Sequence, residues 1–413
     1  MTARQPKATP GESAEAALAQ TRKGGTEPVL IAGAGIGGLA AALALARAGI
    51  GAHVLEERAE VAAEGAGIQI GPNGMRILEA LGVSETLKPH AGVPEAIAVR
   101  DGRTGADLAR LPLGRFIAER LGAPYWVMHR ADQHAGLLEA VRAEPLVTLS
   151  TGVKVSSVAA REDGVAVTSA SGEAWTGRAL VGADGLWSAV RAALFPQHRP
   201  RFAQKSAARS VVPLQAMPAG LQRQEVGIWL FPDAHVVHYP VSGGAALAIV
   251  VILPDTYDGK EWSGSVPPAW VRERLPACAG SLRDLVSTPE TWRRWALHTL
   301  PPLPAWTRGP VTLLGDAAHA IVPFLAQGGV LALEDAMVLA QTLRAERDPA
   351  DAFLAYERRR RPRALTVAKA SLENGRIYHL SGALALARNL VLRLASPERL
   401  IARYDWLYGW RAE

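Results

Sequence analysis

The sequence predicts an α/β fold in which a parallel-sheet nucleotide-binding domain carries an inserted antiparallel sheet and is followed by C-terminal helices. Three observations support this prediction. A glycine-rich loop follows a short apolar run near the start, alternating β-branched stretches occupy 201–253, and a helical region fills 346–413. Strands that alternate with helices favour a parallel sheet, whereas a period of two favours a half-buried antiparallel one.

The first predicted element is a buried strand over Pro28 to Ala32, whose apolar residues PVLIA precede a tight turn. Gly33, Gly35 and Gly38 follow at G-x-G-x-x-G spacing, and a helix is predicted over Leu39 to Ala48. The first glycine allows the turn, the second lets the backbone approach a pyrophosphate, and the third lets the helix pack on the strand. The segment therefore predicts a dinucleotide-binding loop.

A second strand, Ala52 to Leu55, completes the βαβ unit and ends at Glu56. That carboxylate stands roughly 20 residues after the glycine-rich loop, where an acid that binds a ribose is expected. A glycine-rich turn before an ordinary core helix is the alternative. The strand, the helix and the acid together favour the nucleotide-binding interpretation.

A second loop is predicted after the apolar run Leu180-Val181, in the segment GADGLWSAVR. Asp184 would lie at the carboxyl end of a strand, and Ser188 to Leu194 would form the following helix. A carboxylate at that position can accept hydrogen bonds from a sugar or orient the neighbouring loop. By itself, Asp-Gly indicates only a turn.

The third loop follows a predicted strand over Val311 to Leu314, in the segment GDAAHAIVPFLAQGG. Gly315 and Asp316 form its turn, and Gln327 to Gly329 introduce a helix over Val330 to Leu343. The glycines would let a flat ring lie at the positive end of that helix, which would stabilise negative charge on the ring. For this segment alone, a buried loop before a core helix is the alternative.

Composition indicates a globular protein with a large core, because the 413 residues are 49% hydrophobic and only 20% charged. The single cysteine, Cys278, excludes an intramolecular disulfide and a thiolate metal cluster, so we predict no metal and a cytoplasmic location. The apolar stretch Leu39 to Ala48 is too short to span a membrane, and we predict no membrane insertion.

The net charge of +6 includes a dense basic run at Arg358 to Arg361. The run lies on a predicted amphipathic helix without interleaved aromatic residues, which favours a solvated or ion-paired helix face over a nucleic-acid site. We therefore predict no nucleic-acid partner. The oligomeric state is left open, with a homodimer as one candidate.

Taken together, GAGIGGL, the HRAD segment at His129 to Asp132, GADGLWSAVR and GDAAH…AQGG resemble the single-component FAD-dependent aromatic hydroxylases. This group includes salicylate, 3-hydroxybenzoate and 6-hydroxynicotinate hydroxylases, and the match extends from about Pro28 to the end of the chain. The resemblance implies bound FAD, transient NADH or NADPH, and O₂. It also implies hydroxylation of a small aromatic ring, hydroxylated and with or without a carboxylate, through a flavin C4a-hydroperoxide.

The sequence predicts a four-part domain organisation, and the resemblance implies a set of FAD-binding residues. The four parts are a disordered tail (1–27), a discontinuous Rossmann-like FAD-binding domain (28–200 and 292–345), an inserted substrate-binding antiparallel sheet (201–291) and a C-terminal helical region (346–413). The residues expected to bind FAD are Gly33, Gly35, Gly38, Glu56, Arg130, Asp184, Gly315, Asp316, Gly328 and Gly329.

The catalytic residues are expected on the antiparallel sheet, where His235 and Tyr239 share one face of a regular strand. By resemblance, His235 would withdraw a phenolic proton, Tyr239 would orient the ring, and Gln327 would lie nearby. An imidazole suits this role because its pKa of about 6.5 leaves it neutral at pH 7. A strand histidine satisfied by the core is the alternative.

The substrate pocket is less well defined by the sequence. We expect Arg209, Trp229 and Phe324 to line it, with Arg209 paired to a carboxylate or supporting the sheet instead. A larger polycyclic or secondary-metabolite aromatic is a second possible substrate class. A protein that binds FAD without hydroxylase activity is the alternative from another class, and steady NAD(P)H oxidation with an aromatic ligand would exclude it.

Overall fold

The structure is a computed structural model that describes residues 27–61, 67–161, 163–259, 264–275 and 277–412. The tail predicted over 1–27 therefore lies outside the described residues, except for its last residue. Among the described residues, no helix is long and apolar enough to cross a membrane.

Strands of four sheets make up much of the described chain. The first ten are β1 (Val29–Ala32), β2 (Ala52–Glu56), β3 (Gly67–Ile70), β4 (Ala96–Asp101), β5 (Asp107–Pro112), β6 (Trp126–His129), β7 (Val147–Thr151), β8 (Val155–Arg161), β9 (Gly164–Ser169) and β10 (Ala174–Gly177). The others are β11 (Ala179–Gly182), β12 (Arg201–Pro213), β13 (Glu225–Leu230), β14 (His235–Val241), β15 (Ala246–Pro254), β16 (Gly264–Val266), β17 (Trp292–Thr299), β18 (Thr307–Arg308) and β19 (Val311–Leu313).

The α-helices of the described residues alternate with strands in the first half of the chain and follow one another at its end. They are α1 (Ile36–Arg47), α2 (Pro72–Ala80), α3 (Ser84–Leu87), α4 (Gly114–Leu121), α5 (Arg130–Ala143), α6 (Ala189–Leu194), α7 (Pro268–Arg274), α8 (Gly280–Ser287), α9 (Asp316–His319), α10 (Gly328–Ala345), α11 (Pro349–Tyr378), α12 (Gly382–Leu394), α13 (Pro397–Ala402) and α14 (Asp405–Tyr408).

The nucleotide-binding domain is built on a six-stranded sheet of order β18-β19-β11-β1-β2-β7. All neighbouring strands are parallel except β18 and β19. Every residue of β1 is buried, as expected when helices cover both faces of a parallel sheet. The predicted βαβ unit is confirmed, since β1, α1 and β2 occupy the predicted positions within a few residues.

The register of this sheet brings three loops to one edge. Ala32, Gly182 and Leu313 are the last residues of β1, β11 and β19, and Ala32 pairs with Gly182, which in turn pairs with Leu313. Because ligands of open α/β sheets bind beyond the carboxyl ends of the strands, the three predicted loops lie where a dinucleotide would bind.

The second large sheet has eight strands in the order β16-β17-β12-β15-β14-β13-β4-β5. Its central strands β12 to β15 confirm the antiparallel sheet expected from the alternating stretches of 201–253. The sheet extends beyond the predicted boundaries 201–291, because β4 and β5 come from earlier in the chain and β17 starts at Trp292. Alternation within 201–291 could not show that distant strands join the same sheet.

The C-terminal helices of the described chain connect the two sheets. The thirty-residue helix α11 packs against α10 and against the 3₁₀ turn Pro323–Leu325 of the third loop. Arg76 holds the end of the chain through backbone oxygens, since its guanidinium donates to the carbonyls of Tyr408 at 2.5 Å and Trp410 at 2.7 Å. The C-terminal segment is thereby fixed beside the N-terminal part of the nucleotide-binding domain.

Candidate active site

The glycine-rich turn after β1 has the shape that a diphosphate requires. Gly33 has φ +100°, which side chains rarely tolerate, and a Cβ on Gly38 would overlap the carbonyl oxygen of Gly33. A Cβ on Gly35 would meet nothing within 4 Å, so the backbone there is open to a ligand. Helix α1 starts at Ile36 without a side-chain cap, which leaves its first amides available to an anion.

Glu56 lies beside this turn, as predicted for an acid that binds a ribose. It is 9% exposed, and its carboxylate accepts hydrogen bonds from the backbone N–H groups of Ala34 at 2.7 Å and Arg58 at 3.0 Å. The buried His134 holds the same turn, with its Nε2 at 2.7 Å from the carbonyl oxygen of Ala34. His134 is a supporting residue that the sequence analysis missed.

Arg130 and Asp316 are close enough for their charges to affect each other. Burial lowers the pKa of Arg130, and the nearby Asp316 carboxylate partly offsets that effect. Burial likewise raises the pKa of Asp316, against the attraction of His319, Arg130 and Arg191. Asp316 is nevertheless solvent-exposed, so it could accept hydrogen bonds from a sugar or ribityl chain.

Asp184 performs the second of its two predicted roles, since it orients its own loop. Its carboxylate accepts hydrogen bonds from the Ser188 hydroxyl at 2.5 Å and from the backbone N–H groups of Ala189 at 2.7 Å and Val190 at 3.1 Å. It therefore stabilises the start of α6.

Arg191 ties the second loop to the third. Its buried guanidinium donates to the carbonyl of Leu186 at 2.5 Å and to the carbonyl of Ala317 at 3.1 Å. Arg191 thus links two loops that are distant in sequence. The GADGLWSAVR motif gave no indication of this link beyond the presence of an arginine. The link fixes the spacing between Asp184 and the turn at Gly315 and Asp316.

The third loop is held by Asp335, a fully buried carboxylate on α10. It accepts hydrogen bonds from Gly315 N at 3.1 Å, His319 Nε2 at 2.6 Å and Arg360 Nε at 2.7 Å. Burial alone would raise the pKa of Asp335, but His319 and Arg360 outweigh burial and lower it to about 2. The carboxylate is therefore ionised at neutral pH and keeps its three donors.

The adjacent carboxylate, Glu334, is also fully buried and holds the other side of the site. It accepts from Arg360 at 2.8 Å, Arg363 at 3.0 Å and Asn73 Nδ2 at 2.8 Å. Asn73 also donates to the side-chain oxygen of Gln327 at 3.0 Å, so Gln327 is positioned by the same network. Part of the basic run is therefore ion-paired, which is one of the two arrangements predicted for it.

Helix α11 also fixes the segment of the third loop that carries Phe324. Ser371 donates to the carbonyl of Val322 and Asn374 to that of Phe324, both at 2.7 Å. The next turn contains Ala326, a non-glycine residue with φ +53°. A non-glycine residue keeps such a conformation only where the surrounding structure holds it. Here the neighbours of Ala326 on both sides, Phe324 and Gln327, are buried and hydrogen-bonded.

The inner face of the antiparallel sheet lies opposite this loop and carries His235 and Tyr239 together, as predicted. His235 is 3% exposed, its ring centre is 5.3 Å from that of Phe324, and its Nδ1 is 2.8 Å from Nε2 of His379. The pKa of His235 lies well below its usual value, mainly because the ring is buried and also because His379 and Lys205 are close to it. The imidazole is therefore neutral at pH 7.

Tyr239 and Arg209 share this face further along. Tyr239 packs so closely on β3 that a Cβ on Gly67 would overlap its ring, and burial raises the pKa of Tyr239 to about 12. The Arg209 guanidinium lies 3.2 Å from the ring centre of Trp295. Burial lowers the pKa of Arg209 to about 9, which still leaves it cationic at pH 7.

Trp229 is not brought into this group, and we do not retain it as a substrate-binding residue. It pairs with Val236 of β14, so its side chain points to the face opposite His235 and Tyr239. There it joins the apolar cluster under α7 and α8, and the Arg100 guanidinium lies 5.2 Å from its ring centre. The alternation of side chains along one strand does not show which of them share a face of the sheet with a given residue of the neighbouring strand.

Among the described residues, no group of three or more His, Cys, Asp or Glu side chains could hold a metal ion. The site described above consists of the glycine-rich loops at the edge of the parallel sheet and a face of the antiparallel sheet with an arginine, a histidine and a tyrosine.

Comparison with known proteins gives concordant results over nearly the whole chain. The family described as FAD binding domain matches residues 26–371. The chain is 38% identical to 3-hydroxybenzoate 6-hydroxylase from Polaromonas naphthalenivorans, covering 93% of this chain and 96% of that protein. It is 33% identical to 6-hydroxynicotinate 3-monooxygenase from Bordetella bronchiseptica, covering 85% and 92%.

Among solved structures, HpxO of Klebsiella pneumoniae complexed with FAD and uric acid is similar, with a TM-score of 0.82. The two chains are 27% identical, and the match covers 92% of this chain and 96% of that one. A salicylate hydroxylase in complex with substrate has a TM-score of 0.79 at 24% identity, which supports the fold.

Replacement of Asp316 with alanine is expected to weaken FAD binding by about 5- to 150-fold, because loss of a hydrogen-bond acceptor to a bound ligand costs about 1–3 kcal/mol. Fluorescence titration of the apoprotein with FAD measures the dissociation constant. Asp351→Ala, on an exposed turn of α11, is the matched control. Equal affinity in the two variants would mean that Asp316 does not contact the cofactor.

Replacement of Arg360 with methionine is expected to destabilise the protein by about 3–5 kcal/mol, because two buried carboxylates lose the cation that they share. Urea unfolding followed by circular dichroism measures this loss. The control is Arg358→Met, an exposed position on the same helix. A midpoint for Arg360→Met that coincides with the control would show that the buried network contributes little to stability.

Proposed function

The chain belongs to the FAD binding domain family and is an FAD-dependent aromatic hydroxylase, and we propose that its substrate is a small ring that carries both a hydroxyl and a carboxylate. The observation that carries this proposal is the Arg209 guanidinium, which lies on the same face of the antiparallel sheet as His235 and Tyr239. Among the described residues it forms no ion pair, and its Nε is buried without a hydrogen-bond partner. A carboxylate is the anion that a guanidinium binds in two-point geometry.

The relatives' names support the same class. 3-Hydroxybenzoate, 6-hydroxynicotinate and, from Streptomyces platensis, 3-amino-4-hydroxybenzoate are each a single ring with a hydroxyl and a carboxylate. The share of each protein that is covered is at least 92%, so the likeness includes the strands that carry Arg209 and His235.

The distance between the proposed groups suits one aromatic ring. Arg209 pairs with Val250 across β12 and β15, and Val250 pairs with Val237 across β15 and β14. Two strand spacings separate the backbones of Arg209 and Val237 by roughly 10 Å. His235 and Tyr239 flank Val237 on the same face, so their side chains and the guanidinium could contact opposite ends of one ring.

The residues present fit FAD. The cradle of Gly33, Gly35 and Gly38, with Glu56 beside it, fits an ADP moiety, and the open cleft at Arg130 and Asp316 fits the diphosphate and ribityl chain. Asp184, Gly315, Gly328 and Gly329 form the surrounding loops. Bound FAD would supply the redox chemistry, taking electrons from NADH or NADPH and activating O₂.

We assign the acid–base chemistry to His235. Because its imidazole is neutral at pH 7, it can accept the proton of a phenol and make the ring a better nucleophile. Tyr239, with a pKa of about 12, keeps its proton and can donate a hydrogen bond that orients the ring. Gln327, held by Asn73, lies at the start of α10 and can contact the ring or the cofactor.

The pH dependence follows from the depressed pKa of His235. The histidine stays neutral as the pH falls through 6.5 and takes up a proton only well below that value. Hydroxylation should therefore persist at mildly acid pH and decline only at lower pH. A loss of product formation centred at pH 6.5 in the single-turnover reaction would contradict the proposed burial of the base.

Replacement of Arg209 with methionine is expected to raise the KM for 3-hydroxybenzoate by about 10- to 150-fold, because a charge-assisted hydrogen bond contributes about 1.5–3 kcal/mol. The matched control is the substrate 3-hydroxybenzamide, for which the ratio of variant to parent KM should stay near one. Equal effects on both compounds would indicate that Arg209 supports the sheet and does not bind a carboxylate.

Replacement of His235 with alanine is expected to leave FAD binding and ligand-stimulated NAD(P)H oxidation largely intact. Hydroxylation should fall by about 10²- to 10⁴-fold, the usual contribution of a general base, and hydrogen peroxide should rise. Product per NAD(P)H oxidised is the measurement, with His90→Ala, an exposed histidine, as control. If the product formed per NAD(P)H oxidised is unchanged in His235→Ala, this histidine has only a structural role.

A further inference from the structure

We propose that His379 is the proton-transfer partner of His235 and passes the phenolic proton from the buried cavity to solvent. The proposal rests on the proposed function, because it requires His235 to act as the base. No motif in the sequence singled out His379, which lies 144 positions from His235. The contact between the two histidines arises only in the folded protein.

The two imidazoles form a direct hydrogen bond. Nδ1 of His235 lies 2.8 Å from Nε2 of His379, and the ring centres are 5.1 Å apart. His379 immediately follows the last residue of α11, and its backbone N–H donates to the carbonyl of Gly375 at 3.1 Å. Its own carbonyl accepts from Asp233 N at 3.3 Å. The position of His379 is therefore fixed from the helix and from the turn before β14.

This hydrogen bond sets the tautomer that the proposed base requires. For Nε2 of His235 to accept a phenolic proton, Nδ1 must carry the hydrogen and donate it to Nε2 of His379. When the phenol O–H transfers its proton to His235 Nε2, the hydrogen on Nδ1 can move to His379 Nε2. His379 then releases the hydrogen on its own Nδ1 to water, and one proton has left the cavity.

Burial explains why a partner is needed. His235 is 3% exposed and is enclosed by the rings of Phe324 and Tyr378, each with a centre 5.3 Å away. A proton taken up by His235 therefore has no direct route to water. His379 is only partly buried, so it is the member of the pair that reaches the solvent.

The charges around His379 favour release over retention of the proton. Burial and the cations Lys205 and Arg388 lower the pKa of His379 to about 4, whereas Asp233 opposes them. Lys205 is itself held there, since its ammonium donates to the carbonyl of Asp233 at 2.8 Å. The pair is neutral at pH 7, and a proton that reaches His379 would pass on to water. The position at the C-terminus of α11 gives a transient imidazolium modest support.

The test uses the holoenzyme with 3-hydroxybenzoate as the first probe, or the ring among 6-hydroxynicotinate and 3-amino-4-hydroxybenzoate that the parent hydroxylates fastest. His379→Ala and His379→Gln are compared with the parent and with His90→Ala. Flavin reduction, product per NAD(P)H oxidised and the rate of product formation are measured from pH 6 to pH 9.5, with and without added imidazole.

We expect both His379 variants to keep FAD and ligand-stimulated flavin reduction, while product formation at pH 7 falls by at least about 10-fold, the lower part of what proton-transfer groups contribute. The loss should shrink as the pH approaches the phenol pKa of about 10, because the substrate then loses its proton unaided. Added imidazole should restore part of the activity of His379→Ala.

Three outcomes would overturn the inference. The first is parental coupling in both variants, and the second is a loss that neither pH nor imidazole changes, which indicates packing alone. The third is loss of FAD or of flavin reduction in both variants, which makes His379 structural. Failure of the proposed function is distinguishable, because the parent itself would then form no product from any of the three rings.

Discussion

Two adjacent carboxylates on α10, Glu334 and Asp335, hold the site together from inside the protein. Both are fully buried and share the Arg360 guanidinium, and through Gly315 and Asn73 they reach both walls of the cleft. A buried ion pair is stable only when its remaining lone pairs are satisfied, and here the extra donors come from the cofactor loops themselves. The position of α10 and the positions of the groups that donate to it are therefore linked.

The two sheets contribute different parts of the site. The parallel sheet brings the ends of β1, β11 and β19 to one edge, where helix N-termini and glycine turns suit a dinucleotide. The antiparallel sheet presents a face with a cation, an imidazole and a phenol side chain to the same space. Helix α11 contacts both parts. Its Arg360 binds Asp335, which holds the third loop, and its Asn374 donates to Phe324. His379, just beyond its end, contacts His235.

Local motifs predicted the first βαβ unit well. The unit from β1 to Glu56 appears within a few residues of its predicted bounds, since apolar runs and glycine spacing depend on neighbouring residues. Contacts between distant segments could not be predicted. Asn73, Arg191 and His379 act through partners more than 100 positions away. Trp229 was expected in the pocket but lies on the opposite face of the sheet, because strand register is a tertiary property.

The most direct test of this account is a crystal structure of the protein with FAD and 3-hydroxybenzoate. The ring is expected between the third loop and the inner face of the antiparallel sheet, with its hydroxyl in hydrogen-bond reach of His235 Nε2 and its carboxylate on Arg209. A ring bound elsewhere, or one whose carboxylate points away from Arg209 while its hydroxyl has no contact with His235, would contradict the proposed site.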